Sequence, residues 1–479
     1  MYISKYAVSE VRSGNMRIVW IIPAPFMRRM KPYRWGGKTY GKSNSITGPL
    51  ILGGMLKKAG HQVSVYEELN GDVPYDRLIP ITDVFCFSIM TSNAPRAYEL
   101  CDRIRKGNPK ARLIIGGIHA TAMPEEAALH ADQVMVGEGE TAILDVIEGR
   151  RTEKIVHCQP LEDLDQAPFP DYSILKTPCK AANIITSRGC PFRCTFCSTS
   201  RMFAPYRKRS VANVLQEIRQ DKEQGFRYMN FEDDNFTADK ERAKEILRGI
   251  IAGHLQFDET FFFGRTDLAK DEELLDLLKE AHLTRVLMGI ESLNQKALDR
   301  IHKGQSVQDI KDAAEACRKH GIRVIASIVL GIDDDSLSDI DKAVSFASHI
   351  DAYQLQPAIL TPYPGTPVYQ EMKDSGRIHV SDWTRYDMMS VTFQPKQMTA
   401  WQLQEAFYHA SDRFYTFRSA LRIGRLFGHR YGRQRLRMWS TMRLGTFAAR
   451  VLSRTVTKSP FYQLRHADWA NLTYQKSGS

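Results

Sequence analysis

The sequence predicts an α/β protein: an N-terminal doubly wound parallel sheet, then a partial β/α barrel, then a helical, basic C-terminal region. Short apolar runs rich in β-branched residues alternate with helical patterns, and apolar residues near the C-terminus keep helical spacing. Strands that alternate with helices are typical of parallel sheets covered by helices. We predict a sheet domain over 1–149, a linker over 150–181, a barrel over 182–395 and the C-terminal region over 396–479.

The first domain is predicted from five apolar runs, at 17–22, 61–67, 84–90, 111–117 and 132–140. Small and polar residues follow these runs, at the sheet edge where a parallel sheet binds its ligands. The same residue types also favour ordinary strand-to-helix turns, so both interpretations stay open. His119, in "GGIHATAMPEE", is a candidate cofactor contact and equally a turn histidine.

The second domain repeats a strand-then-helix unit six times, beginning with "AANIITSRG" and ending with "AYQLQPAIL". In a β/α barrel the chemistry lies on the loops that follow the strands. The motifs "SRGCPFRCTFC", "EDDN", "RTD", "GIES" and "LGIDDD" all fall at such positions. The sequence therefore predicts that these motifs share one face of the barrel.

Composition and cysteine usage limit the cellular setting. The chain of 479 residues is 43% hydrophobic and 25% charged, as is ordinary for a globular protein. It contains no apolar run of about 18 residues and no signal-like apolar core near its first residue, so we expect a cytoplasmic protein. Thiols stay reduced in that compartment, and clustered cysteines there favour a metal centre or catalysis over disulfides.

The net charge of +11 is concentrated in the C-terminal region. Between Arg413 and Ala467 there are thirteen Arg and Lys residues and no Asp or Glu, so the rest of the chain carries about −2 when that +13 is subtracted from the total. Such segments with interleaved aromatic residues, here Phe427, Trp439 and Phe447, contact anionic membranes or nucleic-acid backbones. We favour peripheral contact with an anionic membrane over nucleic acid. A structural role, with the arginines paired to carboxylates of the barrel, is the third interpretation.

Three of the eight cysteines, Cys190, Cys194 and Cys197, lie within eight positions of one another. A structural zinc site usually takes four protein ligands, and no fourth Cys or His lies nearby, so zinc would need a distant residue. Thiolates are the usual ligands of iron–sulfur clusters, and three of them on a four-iron cluster would leave one iron open. We therefore expect a [4Fe-4S] cluster, with zinc and a disulfide as alternatives. The other five cysteines lack mutual metal spacing.

The spacing Cys190-x3-Cys194-x2-Cys197, with Phe196 before the third cysteine, resembles the signature of radical S-adenosylmethionine (SAM) enzymes. Together with "GGIHATAMPEEAALHADQVMVGEGE", "GIESLNQKALDRIHKGQS" and "TPYPGTPVY" it is similar to the branch with an N-terminal cobalamin-binding domain. That branch includes C-methylases, hopanoid-modifying enzymes and the anaerobic magnesium-protoporphyrin ester cyclase. The resemblance covers roughly residues 15–395. The Asp-x-His-x-x-Gly motif of the cobalamin mutases is missing, so cobalamin would bind without that axial histidine.

The resemblance implies three cofactors: a [4Fe-4S] cluster on the three cysteines, SAM on the open iron, and cobalamin in the N-terminal domain. An external electron donor such as flavodoxin or ferredoxin would reduce the cluster, and SAM would yield a 5′-deoxyadenosyl radical. We expect methylation of an unactivated carbon of a small-molecule or lipid-like substrate. Ring closure or carbon–carbon coupling without cobalamin is the alternative within this chemistry. A nucleic-acid-binding, RNA-modifying protein is the alternative of another class.

The resemblance also implies contacts to SAM from the strand ends. Phe196 would present its backbone near the adenine, with a core aromatic as the alternative. Asp233 and Asp234 lie where the family holds the SAM amino group, although Asp is also a good helix N-cap.

Arg265, Glu291 and Ser292 match positions that contact the SAM carboxylate or ribose in the family. A salt bridge between Arg265 and Glu291 inside the barrel is the alternative interpretation.

Overall fold

The computed structural model describes residues 14–25, 45–457 and 459–474. It divides the chain into two compact units, of which the first includes 46–90 and 94–178. The second includes 91–93 and all described residues from Cys179 onward.

The first unit is a parallel sheet with helices on its faces. Its strands are β1 (Arg17–Ile22), β2 (Gln62–Glu67), β3 (Val84–Ser88), β4 (Arg112–Gly116), β5 (Gln133–Val136) and β6 (Ile155–His157). Its helices are α1 (Thr47–Lys58), α2 (Tyr75–Leu78), α3 (Ala94–Gly107), α4 (Ile118–Ala122), α5 (Pro124–Ala128) and α6 (Ile143–Ile147). Among the described residues the strands pair in the order β2-β1-β3-β4-β5-β6, all parallel. The predicted doubly wound sheet is confirmed.

Burial on both faces explains why these strands read as continuous apolar runs. Along β1, Ile18 and Trp20 pack into one apolar cluster. Val19 and Ile21, which alternate with them, pack into the other. A strand covered by helices on both sides has no polar face to show in its sequence. The three-residue strand β6 lies inside 150–181, where no periodicity marks it.

The second unit is a partial β/α barrel. Its strands are β7 (Ala181–Ile184), β8 (Ser187–Arg188), β9 (Arg207–Lys208), β10 (Tyr228–Phe231), β11 (Glu259–Gly264), β12 (Arg285–Glu291), β13 (Arg323–Leu330) and β14 (Gln354–Ile359). Within the described ranges, β7 and β10 to β14 form one parallel sheet in chain order. The short strands β8 and β9 pair with each other, antiparallel. The predicted partial barrel is confirmed.

Helices cover the barrel strands and continue to the C-terminus. They are α7 (Thr199–Met202), α8 (Val211–Glu223), α9 (Lys240–Ala252), α10 (Glu272–Glu280), α11 (Gln295–Arg300), α12 (Val307–Lys319), α13 (Leu337–His349), α14 (Pro367–Asp374), α15 (Ala400–Phe414), α16 (Phe417–Phe427), α17 (His429–Thr455) and α18 (Pro460–His466). Several begin at a capping box, in which the residue just before the helix and the third residue of the helix each accept a hydrogen bond from a backbone N–H group of the other. Thr399 and Gln402 do this at the start of α15.

The C-terminal region is helical, as predicted, and α16 packs closely against α17. Gly428 separates the two helices with a φ of 100°, a left-handed conformation that favours glycine. Gly424 and Gly432 let the helix backbones approach, since a Cβ on Gly432 would lie 2.8 Å from the Cα of Gly424. Among the described residues, no helix has the length and apolar content needed to cross a bilayer.

Two glycines of α17 provide a matched test of this packing. Gly432→Ala should lower the thermal unfolding midpoint, because overpacking a close contact costs about 1–3 kcal/mol. Gly445→Ala, in the same helix, meets no atom within 4 Å. That variant should keep or raise the midpoint, because alanine favours a helix by about 1 kcal/mol over glycine. The unfolding midpoints are measured by circular dichroism. Equal midpoints for the two variants would contradict the close packing of α16 against α17.

Candidate active site

The three cysteines lie on the loop that follows β8 and ends at α7, at the carboxyl end of β7. Pairing of β8 with β9 closes the base of this loop. Gly189, directly after β8, has a φ of 77°, and a Cβ there would lie 2.5 Å from the carbonyl oxygen of Phe203. Only glycine fits such a position without strain. The first turn of the cysteine loop is therefore set by backbone geometry.

Two neighbouring segments of the barrel hold the middle of the cysteine loop. The backbone N–H of Thr195 donates to the carbonyl of Ile301, just after α11, at 3.0 Å. The N–H of Val368, in α14, donates to the carbonyl of Thr195 at 3.3 Å. Within the loop, the N–H of Cys197 donates to the carbonyl of Cys194 at 3.3 Å, which forms a tight turn. This turn fixes the backbone of Cys197 relative to that of Cys194.

Each cysteine of the loop is an unlinked thiol. Burial raises the pKa of Cys190 to about 11. Burial also raises the pKa of Cys194, while the positive charges of Lys303 and Arg265 act to lower it. Thiolate ligands at this loop therefore depend on nearby positive charge, of which the protein itself supplies a part.

Arg265 supplies this charge from the end of β11. Its guanidinium lies 3.7 Å above the ring of Phe192, which belongs to the cysteine loop. Its Nη1 is 4.0 Å from the Sγ of Cys194, and its Nη2 donates to the backbone carbonyl of Lys303. The side chain is 7% exposed. Arg265 thus contacts the cysteine loop and the segment after α11 at once.

Glu291 lies at an irregular point of β12. The register of β12 against β13 shifts between Gly289 and Glu291, and Glu291 has a φ of 61°, which is unusual for a residue with a side chain. Its Oε1 accepts from Lys303 Nζ at 2.6 Å, with both side chains buried. In the described part of the chain, the ion-pair partner of Glu291 is Lys303 rather than Arg265. Its Oε2 is buried and has no hydrogen-bond partner among the described residues.

Ser292 is used within the protein. Its Oγ donates to Asp335 Oδ1 at 2.9 Å and accepts from the N–H of Asn294 at 3.0 Å. Burial raises the pKa of Asp335 to about 7. Ser292 therefore links the ends of β12 and β13, and its contact with SAM stays a prediction.

The two aspartates after β10 differ in their surroundings. Asp233 is fully buried and accepts from Oγ1 and the N–H of Thr186, at 2.8 and 3.2 Å, which fixes the chain leaving β7. Asp234 receives a hydrogen bond from Thr199 at the start of α7. Its negative charge adds to the rise in the pKa of Cys190. Helix α9 is capped by Asp239, so capping explains neither residue.

The remaining predicted residues are Phe196 and His119. Phe196 is half-buried and packs against the barrel core. His119, in the first unit, is fully buried with Nε2 3.4 Å from Glu126 Oε1. Burial lowers the pKa of His119, so the ring is neutral at pH 7. The contacts of both residues with cofactors stay predictions.

Comparison with known protein families identifies both units. The model of the radical SAM superfamily matches residues 184–347, and that of the B12 binding domain matches residues 46–147. In sequence order, the chain carries a B12-binding domain followed by a radical SAM domain. The cysteine loop and the strand ends described above belong to the radical SAM domain, and the chain is a radical SAM enzyme.

Curated relatives share most of this radical SAM enzyme's length. An uncharacterised methyltransferase of Pyrococcus horikoshii is 27% identical over 82% of the chain and 92% of the relative. The bacteriochlorophyllide d C-8(2)-methyltransferase of Chlorobaculum tepidum is 28% identical, over 69% and 75% respectively. The anaerobic magnesium-protoporphyrin IX monomethyl ester cyclase of Cereibacter sphaeroides is 24% identical, over 84% and 70%.

A solved structure shows the same fold. The cobalamin-dependent SAM radical enzyme OxsB, with aqua-cobalamin bound, superposes with a TM-score of 0.64. The superposition covers 94% of this chain and 74% of OxsB at 14% identity. This likeness shows that the chain and OxsB share a fold.

The residues of the site fit the cofactors of a radical SAM domain, a [4Fe-4S] cluster and SAM. In the described ranges no three Cys, His, Asp or Glu side chains are arranged around a single ion. A cluster differs from a single ion because thiolates bind it at separate irons. The loop offers Cys190, Cys194 and Cys197 as thiolates, Arg265 as a compensating charge, and the unpartnered Oε2 of Glu291 as a polar atom for a ligand.

The first unit also fits its cofactor, cobalamin, at the carboxyl edge of its sheet. Gly117, after β4, has a φ of 104°, and a Cβ there would overlap the backbone of Ile89. Gly137, after β5, has a φ of 92° and receives support from Thr121, whose Oγ1 accepts its N–H at 3.0 Å. Glycine at these two loops leaves backbone rather than side chains at the edge where doubly wound sheets bind ligands.

Sequence reasoning missed Lys303, Phe192 and Gln305. Lys303 stands in "DRIHKGQS", quoted for the resemblance, but nothing in its spacing indicates that it pairs with Glu291. Gln305 Nε2 donates to the carbonyl of Gly289 at 3.0 Å, and this also depends on the folded loop. The signal available for Lys303 and Gln305 was their place in the segment "DRIHKGQS", which follows α11 and forms part of the resemblance.

The cluster assignment can be tested with one thiol of the loop. Cys194→Ala removes one of three thiolates and should abolish both the iron–sulfur absorption and SAM cleavage. Cys158→Ala is the matched control, since this half-buried cysteine lies in the first unit. Iron and sulfide content and the visible spectrum should be lost only in Cys194→Ala. Formation of 5′-deoxyadenosine by that variant at the parent rate would show that the assignment is wrong.

Proposed function

We propose that this radical SAM enzyme methylates an unactivated carbon of a small-molecule or lipid-like substrate with the help of cobalamin. The observation that carries the proposal is a cysteine loop with buried positive charge beside Cys194, in a chain that also has a B12-binding domain. When bound, the cluster and SAM supply a 5′-deoxyadenosyl radical, and cobalamin carries the methyl group. Methyltransferases among the curated relatives support this proposal.

Each residue of the site receives a defined task. Cys190, Cys194 and Cys197 would hold three irons of the cluster. Arg265 would place its charge beside the thiolates and, through its stacking on Phe192, keep the cysteine loop in position.

Carboxylate groups near the loop would bind the polar end of SAM. Asp234, whose charge raises the pKa of Cys190, would accept from the amino group. The unpartnered Oε2 of Glu291 would accept from a ribose hydroxyl. Asp233 and Ser292 would act through their hydrogen bonds, because they fix the chain at the ends of β7 and β12. Phe196 would present its backbone near the adenine.

The relatives narrow the substrate class for a first screen. By their names, two methylate bacteriochlorophyllide d, one at C-8(2) and the other at C-12(1). A tetrapyrrole is a large apolar molecule with polar substituents, and it falls within the small-molecule or lipid-like class. We therefore place tetrapyrroles first, ahead of membrane lipids.

A second candidate reaction is ring closure. The cyclase among the relatives, which acts on magnesium-protoporphyrin IX monomethyl ester by its name, is the observation that favours it. Ring closure or carbon–carbon coupling would need the cluster and SAM but no transferred methyl group.

The partners follow from the chemistry. An external flavodoxin or ferredoxin would supply the electron for the cluster. The enzyme would work in the cytoplasm, with peripheral contact to an anionic membrane, where an apolar substrate is concentrated.

The two candidate reactions predict different fates for a labelled methyl group. With SAM labelled on its methyl carbon, a reductant and a tetrapyrrole acceptor, we expect label in the product together with 5′-deoxyadenosine. Cys194→Ala should form neither product. Substrate consumption with 5′-deoxyadenosine but without label would contradict methylation and support ring closure.

Cobalamin binding can be tested on the full chain, independently of turnover. After loading with hydroxocobalamin and desalting under anaerobic conditions, we expect about one corrinoid per chain. Because the ring of His119 is buried against Glu126, His119→Ala should retain a corrinoid with the same visible spectrum. A changed spectrum in this variant would show that His119 contacts the cofactor. No retained corrinoid in either protein would contradict the cobalamin-dependent proposal.

A further inference from the structure

The long helix α17 exposes apolar side chains along one face. Leu436, Leu444, Phe447 and Val451 are separated by eight, three and four residues, which places them on the same side of a helix. Leu444 and Phe447 are about two-thirds exposed, at 65% and 66%. These are large apolar groups to leave in water, and a contiguous set of them marks an interaction surface.

Helix α16 extends this apolar face. Phe417 and Leu421, one helical turn apart, are 52% and 50% exposed. In contrast, Phe427 and Trp439, which the sequence offered for insertion, are half-buried and pack against apolar clusters of the second unit. Phe447 is therefore the exposed member of that predicted trio.

Some arginines of the C-terminal region are used inside the protein. Arg413 pairs with Asp341, Arg422 with Asp351, and Arg450 with Asp412. Arg435 is 3% exposed and donates to the carbonyls of Ala352 and Tyr353. The interpretation that arginines pair with the barrel thus holds for part of the set.

Another group of arginines faces solvent beside the exposed apolar residues. Arg418, Arg425, Arg433, Arg437 and Arg454 are all exposed. In the ranges that the structure describes, none of these five has an acidic group within ion-pair distance. Arg443, also exposed, contacts the ring of Trp439 at 5.9 Å. With no Asp or Glu between positions 413 and 467, the charge of this face is uniformly positive.

We propose that this face, called here the outer face of α16 and α17, docks on an anionic lipid membrane. It comprises Phe417, Leu421, Leu436, Leu444, Phe447 and Val451 with the six exposed arginines around them. Arginines attract acidic lipid headgroups, and leucine and phenylalanine enter the boundary between headgroups and acyl chains. The proposal refines the peripheral contact named above and does not depend on methyl transfer.

Two other occupants fit the face less well. A nucleic-acid backbone would use the arginines but would leave the six exposed apolar groups of the face in water. A second copy of the chain would bring two positive faces together, and like charges repel at short range. An anionic membrane satisfies both the charge and the apolar surface.

Flotation with vesicles tests the proposal on the full-length protein. Wild type should float with phosphatidylcholine vesicles that contain phosphatidylglycerol at low salt, more weakly at high salt, and hardly at all with phosphatidylcholine alone. Near an anionic membrane each arginine contributes roughly 1 kcal/mol, which is about a fivefold change in partitioning. Arg437→Gln/Arg443→Gln/Arg454→Gln should therefore lower partitioning by up to about a hundredfold.

Matched variants distinguish binding through this face from non-specific binding to vesicles. Leu444→Ser/Phe447→Ser should weaken flotation, since it removes the two most exposed apolar groups of α17. Leu129→Ser/Arg219→Gln is the control, because Leu129 is 82% exposed and Arg219 is exposed outside α16 and α17. It should float like wild type. All variants should keep wild-type iron content and 5′-deoxyadenosine formation. Because flotation does not require methyl transfer, it tests the membrane proposal even if the methylation proposal fails.

Several outcomes would overturn the proposal. These are equal binding to neutral and anionic vesicles, binding to neither, and equal loss of flotation in the control variant. Salt-sensitive binding to RNA without vesicle binding would assign the face to nucleic acid instead. A dimer by light scattering that the Leu444→Ser/Phe447→Ser variant loses, without vesicle binding, would assign it to a second copy.

Discussion

One buried guanidinium holds the candidate site together. Arg265 stacks on Phe192 of the cysteine loop, donates to the carbonyl of Lys303 and lies beside Cys194. A charge removed from water must be compensated by hydrogen bonds or by opposite charge. Carbonyl oxygens provide part of this compensation here, and thiolates on the cysteine loop would provide the rest. The position of the loop and the charge state of its thiols therefore depend on the same side chain.

The ion pair of Lys303 and Glu291 adds a second constraint on the same face of the barrel. A buried pair of this kind contributes little net stability, because desolvation offsets much of the attraction, but removal of one partner is costly. Its effect is positional: Gly289 leaves room for the Lys303 ammonium group, and the backbone of Glu291 takes a left-handed conformation. Strained backbone of this kind is concentrated at active sites and ligand clamps. One oxygen of Glu291 is thereby left for a ligand.

The fold and the cysteine loop could be predicted from sequence because both depend on the spacing of residues that are close in the chain. Apolar runs between helical patterns predicted the two parallel sheets, which are confirmed. Three thiols at spacings of four and three predict a metal centre, and their role as ligands stays a prediction. The pairing of Lys303 with Glu291 could not be predicted, since it depends on how two loops meet after folding. Asp233 shows the same limit, because its position after a strand predicts a ligand contact, whereas full burial against Thr186 gives it a structural contact. The contacts of these residues with SAM stay predictions.

The C-terminal region shows how one composition can serve two purposes. Its arginines divide by helix face: the inner ones meet carbonyls and carboxylates of the barrel, as Arg435 and Arg422 do, and hold α16 and α17 in place. Among the residues that the structure describes, the outer ones have no acidic partner, and exposed apolar residues such as Leu444 and Phe447 share their face. A purely structural tail needs only the inner set, and exposed apolar groups beside it would carry a cost in solubility. The proposed docking on a membrane accounts for the outer set, because a lipid surface of this kind is both anionic and apolar.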